Sequence, residues 1–323
     1  MIVSGIDTND ISVIVQGAVD KENTPLCLKS IRKHLPGAEI ILSTWKGTEV
    51  NNLDYDKVVL NQDPGGFKDK CVNTFTNNTL RQLISTQNGL KRATKKYIIK
   101  MRSDLIFQSC KFLEYFDKFP CRNEEFVFFK HRVITSSFFT KKFLYYNGLV
   151  QPVPFHLSDW FAFGLAEDIL NLYNIELPAE PDFSWYLFDN KYKGKKINLL
   201  GASHQYAPEQ YIAYTAFRKK FNIKFKHYMD YNEENILISE QLMANNFIIL
   251  SPTQFKLICG KENAGTDYYK KWTKYPILIP TLLWKGLYRY DVFLEDYKKY
   301  CDNNFYMPKV NYITKHIDSR YHK

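Results

Sequence analysis

Lys95-Lys-Tyr-Ile-Ile-Lys-Met-Arg-Ser-Asp104 is the stretch on which the reading of this chain turns. A short, β-prone apolar run (Tyr97, Ile98, Ile99, Met101) ends abruptly in Arg102-Ser103-Asp104, as a buried strand does when its carboxyl end carries polar chemistry. The segment before it, Asn77 to Lys96, has the spacing of a helix, so the carboxylate closes a helix-strand unit. In open α/β sheets, ligands bind just outside the carboxyl ends of the strands. A carboxylate there can hold a divalent cation or a ribose hydroxyl, and an Arg beside it can hold phosphate oxygens in a planar fork.

Working outward, the same rhythm repeats. Ile11-Ser-Val-Ile-Val-Gln-Gly17 reads as a first buried strand. Leu26 to His34 reads as a helix stopped by Pro36-Gly37, Ala38 to Ser43 as a second strand ending at Thr44-Trp45, and Lys57 to Leu60 as a third ending at Asn61-Gln62-Asp63. Strands and helices alternating with short connections imply an α/β fold with a mostly parallel sheet flanked by helices. Further on, Phe126 to Phe129 reads as a strand. Residues 130–158, aromatic and irregular with Gly148, Pro152 and Pro154, read as a loop closing over a site. Trp160-Phe-Ala-Phe-Gly164 is strand-like, Leu165 to Tyr173 helical, and residues 203–214 bring a polar cluster and another helix. From about 224 the pattern loosens, and no Pro/Gly-rich linker cuts the chain. The expected organisation is therefore a catalytic domain over 1–223 with a C-terminal extension over 224–323 packed on it.

Composition narrows the class. With 323 residues and 45% hydrophobic content the chain can bury one large domain. Its 24 Phe and 23 Tyr are expected mostly in the core. A net charge of +10 favours acidic partners. No nucleic-acid-binding signature accompanies it, so phosphate-bearing substrates and anionic lipid are the better candidates. The basic clusters Lys191-Tyr-Lys-Gly-Lys-Lys196, Arg218-Lys-Lys220 and Lys270-Lys271 each read most simply as solvated surface. Six Cys without zinc-like spacing, no signal peptide after Met1 and no bilayer-length apolar run lead us to expect reduced thiols and a cytoplasmic protein. The positive charge leaves room for peripheral contact with the inner membrane.

Five polar constellations are candidates for the site. Gln16-Gly17 ends the first strand, where a side-chain amide can bond a base edge; an ordinary polar strand end is the alternative. Asn78, Arg81, Gln82 and Ser85 share one helix face, suited to a polar ligand or equally to a buried seam. Arg102-Ser103-Asp104 differs from a metal-bridging Asp-x-Asp by an Arg in place of the first Asp, which keeps one carboxylate for a metal or a ribose and adds a fixed cation; a surface turn after a strand is the alternative. In His156-Leu-Ser-Asp-Trp-Phe-Ala-Phe-Gly164, Asp159 is a candidate base and Trp160 a candidate sugar platform; the alternatives are a loop-orienting Asp and a core Trp. Ala207-Pro-Glu-Gln210, with His204 nearby, offers Glu209 as a second base or as a helix-start residue.

Together, Val13-Ile-Val-Gln-Gly17, Ser43-Thr-Trp45, Asn61-Gln-Asp63, Arg81-Gln82…Ser85-Thr86…Gly89, Lys100-Met-Arg-Ser-Asp104, Ser158-Asp-Trp160…Gly164 and Pro208-Glu-Gln210 resemble the WavE-type lipopolysaccharide-synthesis proteins, over roughly residues 10–215. The resemblance implies a GT-A-like (Rossmann-like) fold, a nucleotide-sugar donor and a lipid-linked or oligosaccharide acceptor of bacterial surface polysaccharide (lipopolysaccharide or lipooligosaccharide core, or capsule). On this reading Gln16, Gly17, Arg81, Gln82, Lys100, Arg102 and Asp104 hold the donor. Asp104 is the candidate ligand for a divalent metal, Mn or Mg, and Asp159 or Glu209 deprotonates the acceptor. A nucleotidyl- or phosphotransferase, or a non-catalytic nucleotide- or glycan-binding assembly protein, is the alternative.

Overall fold

The structure, a computed structural model, describes residues 1–68, 76–146, 149–185, 204–260 and 288–308. Cys71, Gly148, the basic clusters at 191–196 and 270–271, and residues 309–323 lie outside the described residues. Seven strands form the central sheet: β1 (Ile11–Gln16), β2 (Glu39–Trp45), β3 (Lys57–Asn61), β4 (Tyr97–Arg102), β5 (Val133–Ser136), β6 (Phe161–Leu165) and β7 (Phe247–Leu250). Their spatial order is β7-β5-β6-β4-β1-β2-β3. β1 pairs in parallel with both β2 and β4, β2 with β3, and β5 with β7, whereas β6 runs antiparallel to both its neighbours. The α/β, mostly parallel reading holds.

Sequence explains the centre of this sheet directly. All six residues of β1 are buried, as expected of a strand covered on both faces. The chain leaves β1 for β2 on one side, while β4 pairs on the other. That reversal between β1 and β4 is a topological switch point, where the strand ends part and leave a crevice.

Six helices of eight or more residues are described: α1 (Asn23–His34), α2 (Thr79–Leu90), α3 (Ala166–Tyr173), α4 (Pro208–Phe217), α5 (Glu233–Asn246) and α6 (Tyr290–Tyr300). α2 packs on β1, β2 and β3, and Gly89 sets how closely. A Cβ there would meet Ile14 Cγ2 at 2.6 Å and Ser43 Cβ at 3.2 Å. Gln87 ties α2 to the end of α3 by donating to the carbonyls of Tyr173 (2.9 Å) and Ile175 (2.8 Å). The aromatic residues do fill the core: Phe112 packs on Phe161, Phe163 and Phe255 with ring centroids 5.4–5.5 Å apart.

Three expectations are corrected. Phe126–Phe129 is not a strand. Glu124–Phe126 forms a 3₁₀ turn, and the amides of Phe128 and Phe129 donate to Asn246 Oδ1 at 2.7 and 3.1 Å, a side-chain acceptor in place of a ladder. Residues 130–158 are not a loop over a site. They contain sheet strand β5 and a hairpin pairing Phe143–Tyr146 with Leu149–Pro152. The described residues beyond 224 are more regular than expected, since they supply α5, β7 and α6. β7 is the edge strand of the central sheet, so the residues set apart as an extension contribute to the same sheet as residues 11–165. Arg132 fastens them by donating to the carbonyl of Ala244 at 3.2 Å. Lys142 pairs with Glu240 at 2.7 Å and Asp296 at 3.0 Å.

Candidate functional site

At the switch point the carboxyl ends of β1 and β4 are bound to each other. The Ser103 amide donates to Gln16 O at 3.1 Å, and Ser103 Oγ donates to Ala18 O at 2.6 Å. Gly17, between them, has φ +115°, a conformation open to glycine and rarely to a residue with a Cβ. A cleft of about 360 Å³ opens above, lined by Gln16 at the end of β1 with Gly17 and Ala18 after it, Trp45 at the end of β2, Asp63 after β3, Asn78 just before α2, Arg81 and Gln82 in α2, and Arg102 at the end of β4 with Ser103 and Asp104 after it. Six of the seven residues expected to hold the donor therefore converge.

Their commitments differ. Gln16 is buried, and its Oε1 accepts from Ser85 Oγ at 2.8 Å, which fixes the amide's orientation. Ser85, expected on the ligand-facing side of α2, serves the site through Gln16. Arg81 grips Asp63 with two 2.8 Å bonds and reaches Asn78 Oδ1 at 3.1 Å. That guanidinium holds Asp63 below the usual carboxylate range. Gln82 Oε1 is buried in the same wall with no hydrogen-bond partner among the described residues. A buried acceptor of this kind is costly unless something satisfies it.

Arg102 and Asp104 form a closed pair. Nε and Nη2 of Arg102 reach the two oxygens of Asp104 at 3.0 and 2.7 Å. Asp104 is 1% exposed and Arg102 25% by side chain. The guanidinium also lies 4.3 Å from the centroid of the Trp160 ring. Trp160 is thus a buried platform for Arg102, packed on Phe138 and Phe139, and not an exposed sugar-stacking surface. With both oxygens of Asp104 taken, and no group of three His, Cys, Asp or Glu able to hold a metal among the described residues, the side chains present do not fit a divalent ion held by Asp104.

Lys100 does not line the cleft. It is fully buried, its ammonium donates to the backbone carbonyl of Asp159, and it lies 5.4 Å from the Tyr173 ring. Burial pushes its pKa down to about 8.

Beside the cleft is a second cluster, assembled by the antiparallel direction of β6. Because β6 runs against β4, its beginning lies at the carboxyl end of β4, and the Arg102 amide donates to Trp160 O at 3.2 Å. Asp159, one residue earlier, is buried there, with Oδ1 lacking any hydrogen-bond partner among the described residues. Glu209 enters from the first turn of α4, where Pro208 occupies the start of the helix. Burial, followed by the negative charge of Asp159, pushes the Glu209 carboxyl up to about 8, opposed by the cations of Lys141 and Arg102. The two carboxylates proposed as bases thus share one environment, and Arg102 belongs to it as well as to the cleft. Lys141 was not foreseen, because its segment read as a loop; its pKa is lowered by burial. His156, close to Lys141, is pushed down to about 3 by burial, and its Nδ1 faces Phe139 O at 2.8 Å.

The Arg218-Lys-Lys220 cluster is structural. Lys219 donates to Asn171 O (3.1 Å) and Asn174 O (2.7 Å) at the carboxyl end of α3, and Lys220 to Val127 O at 2.7 Å. All five described cysteines are free thiols. No described helix is long and apolar enough to cross a membrane.

Comparison with known proteins adds one positive finding. No curated protein matches the chain. The family model for WavE lipopolysaccharide synthesis matches residues 11–318, covering the cleft, the carboxylate cluster and also the C-terminal third, which the motif resemblance had not reached. The chain belongs to the WavE lipopolysaccharide synthesis family.

Proposed function

We propose that this protein is a glycosyltransferase of GT-A-like architecture, moving a sugar from a nucleotide-sugar donor to a bacterial surface-polysaccharide acceptor such as the lipopolysaccharide or lipooligosaccharide core. One observation carries the reading. Arg102 lines the switch-point cleft and at the same time lies within electrostatic reach of Asp159 and Glu209. One guanidinium therefore both lines the cleft and acts electrostatically on a pair of candidate bases, which supports transfer from a phosphate-activated sugar. The strand order, parallel on the β1–β4 side with one antiparallel strand inserted beyond it, supports the architecture.

In this reading the nucleoside occupies the β1 side of the cleft. Trp45 offers a ring for the base, and Gln16 and the unsatisfied Gln82 Oε1 offer polar partners. Arg102 faces the phosphates, and its remaining N–H groups stabilise the charge on the departing nucleotide. The acceptor hydroxyl approaches from the Asp159–Glu209 side. A base there takes its proton as the oxygen attacks the anomeric carbon and the bond to the phosphate oxygen breaks. Glu209 suits this role, because a carboxylate whose pKa is raised binds the proton more strongly than an ordinary one. The nucleotidyl- or phosphotransferase alternative expects several carboxylates around a cation, and the commitment of Asp104 to Arg102 argues against it.

The test is nucleotide release from UDP-, GDP-, TDP- and CMP-sugars with and without polysaccharide acceptor. Acceptor-stimulated release from one donor class is expected. Absence of release from all, together with absence of nucleotide binding, would refute the assignment.

A further inference from the structure

Resting on the donor-cleft reading above, we infer that the guanidinium of Arg102, clamped between Asp104 and Trp160, replaces a divalent cation as the counter-charge to the donor's phosphates, so that donor binding in this protein is metal-independent. Asp104 stands where a metal-bridging carboxylate would be useful, but each of its oxygens is held by Arg102, at 3.0 and 2.7 Å. Its side chain is 1% exposed, which leaves it little surface to offer an incoming ion. Arg102 retains 25% exposure and lines the cleft. An arginine side chain has five N–H donors, of which Asp104 takes two, leaving about three for phosphate oxygens.

The pair also explains how one cation could do this. A free arginine side chain pays conformational entropy on binding, whereas this one is already fixed on two sides: bidentate to Asp104 and face-on to Trp160 at 4.3 Å. Asp104 is thus a positioning residue acting through Arg102, and the Arg at position 102 takes over what an Asp-x-Asp motif delegates to metal. An ion approaching Asp104 would compete with Arg102 for the same two oxygens, and opening the pair would leave a largely covered guanidinium without its partner, which is unfavourable.

The experiment is calorimetric titration of the full chain with UDP, GDP, TDP and CMP, in EDTA and then in millimolar Mn²⁺ or Mg²⁺. The inference predicts that the nucleotide that binds does so with the same affinity, within about twofold, in both buffers. Arg102→Gln should weaken it by about 10- to 100-fold in both. Because that variant strands Asp104, the double variant Arg102→Gln/Asp104→Asn, which removes the Asp104 charge together with its guanidinium partner, should show the same loss. Binding that appears only with metal, or a double variant that binds like the wild type, would overturn the inference and leave the donor-cleft assignment standing. Failure of every nucleotide to bind in either buffer would overturn both.

Discussion

Replacing Asp104 by Ala should destabilise the protein as well as disable it. A carboxylate placed at a strand end only to meet ligand could be removed at little cost to the fold. Asp104 is instead 1% exposed and satisfies two donors of a guanidinium that is itself three-quarters covered. Removing one partner of a buried ion pair typically costs about 3–5 kcal/mol. Arg102 keeps enough exposure to regain some water, so the lower end, about 3 kcal/mol, is the expected value. For a chain of this size, about 2 °C of Tm per kcal/mol turns that into a fall of about 6 °C. Adding Arg102→Met to Asp104→Ala should recover at least about 1 kcal/mol, because the stranded charge goes with it. Thermal unfolding followed by circular dichroism, with urea midpoints as a second measure, reads all of these. An Asp104→Ala protein that melts like the wild type would refute the buried-pair description, as would a double variant with no recovery.

Further expectations concern other parts of the structure. Gly89→Ala pushes a methyl group into Ile14 at 2.6 Å and should cost about 1–3 kcal/mol by urea unfolding. It should also weaken nucleotide binding, since α2 carries Gln82 and Ser85. His156, buried and held near pKa 3 against an ordinary value of 6.5, is neutral in the fold while the unfolded chain takes up a proton as pH falls. Its contribution to stability is whole above pH 6.5 and is lost as pH falls from there toward 3. Between pH 7.5 and 5 this amounts to about 2 kcal/mol, at about 1.4 kcal/mol per unit below 6.5. His156→Gln should lack that component, and parallel acid dependence of the two proteins would count against it. If Glu209 is the base, turnover should rise with pH up to about 8, as its carboxyl ionises. Asp159→Asn, by removing a charge that raises the Glu209 pKa, should move that rise to lower pH; an unmoved profile would separate the two residues.

How much was legible in the sequence depended on where each residue's partners lay. β1, β2 and β4 announced themselves because strands buried on both faces are mostly apolar, and Gln16, Arg102 and Asp104 followed from standing at or just after their carboxyl ends. β5 was missed because half of it is hydroxylic. Thr135 and Ser136 are buried all the same, Thr135 Oγ1 donating to Phe161 O at 2.9 Å and Ser136 lying 3.1 Å from Ser158 Oγ. α5 was missed because its buried side includes Asn245 and Asn246, which bond the 122–129 segment instead of packing as hydrophobes. Asp159 and Glu209 could be named one at a time, but not as neighbours. Their meeting depends on β6 running antiparallel to β4 and on α4 arriving from another part of the chain, and neither is written in local spacing. The Arg102–Asp104 pair was close in sequence from the start, yet two adjacent charges can face a ligand or each other, and only the side-chain geometry decides.

The central claim is tested most directly by turnover of the wild type and of Glu209→Gln and Asp159→Asn, using the nucleotide sugar whose nucleotide binds and purified lipooligosaccharide as acceptor. The account predicts acceptor-dependent nucleotide release by the wild type. Neutralising the base should reduce turnover by about 10²–10⁴-fold while nucleotide affinity stays within a few-fold of normal. Full turnover by both variants, or a wild type that binds no nucleotide, would contradict it.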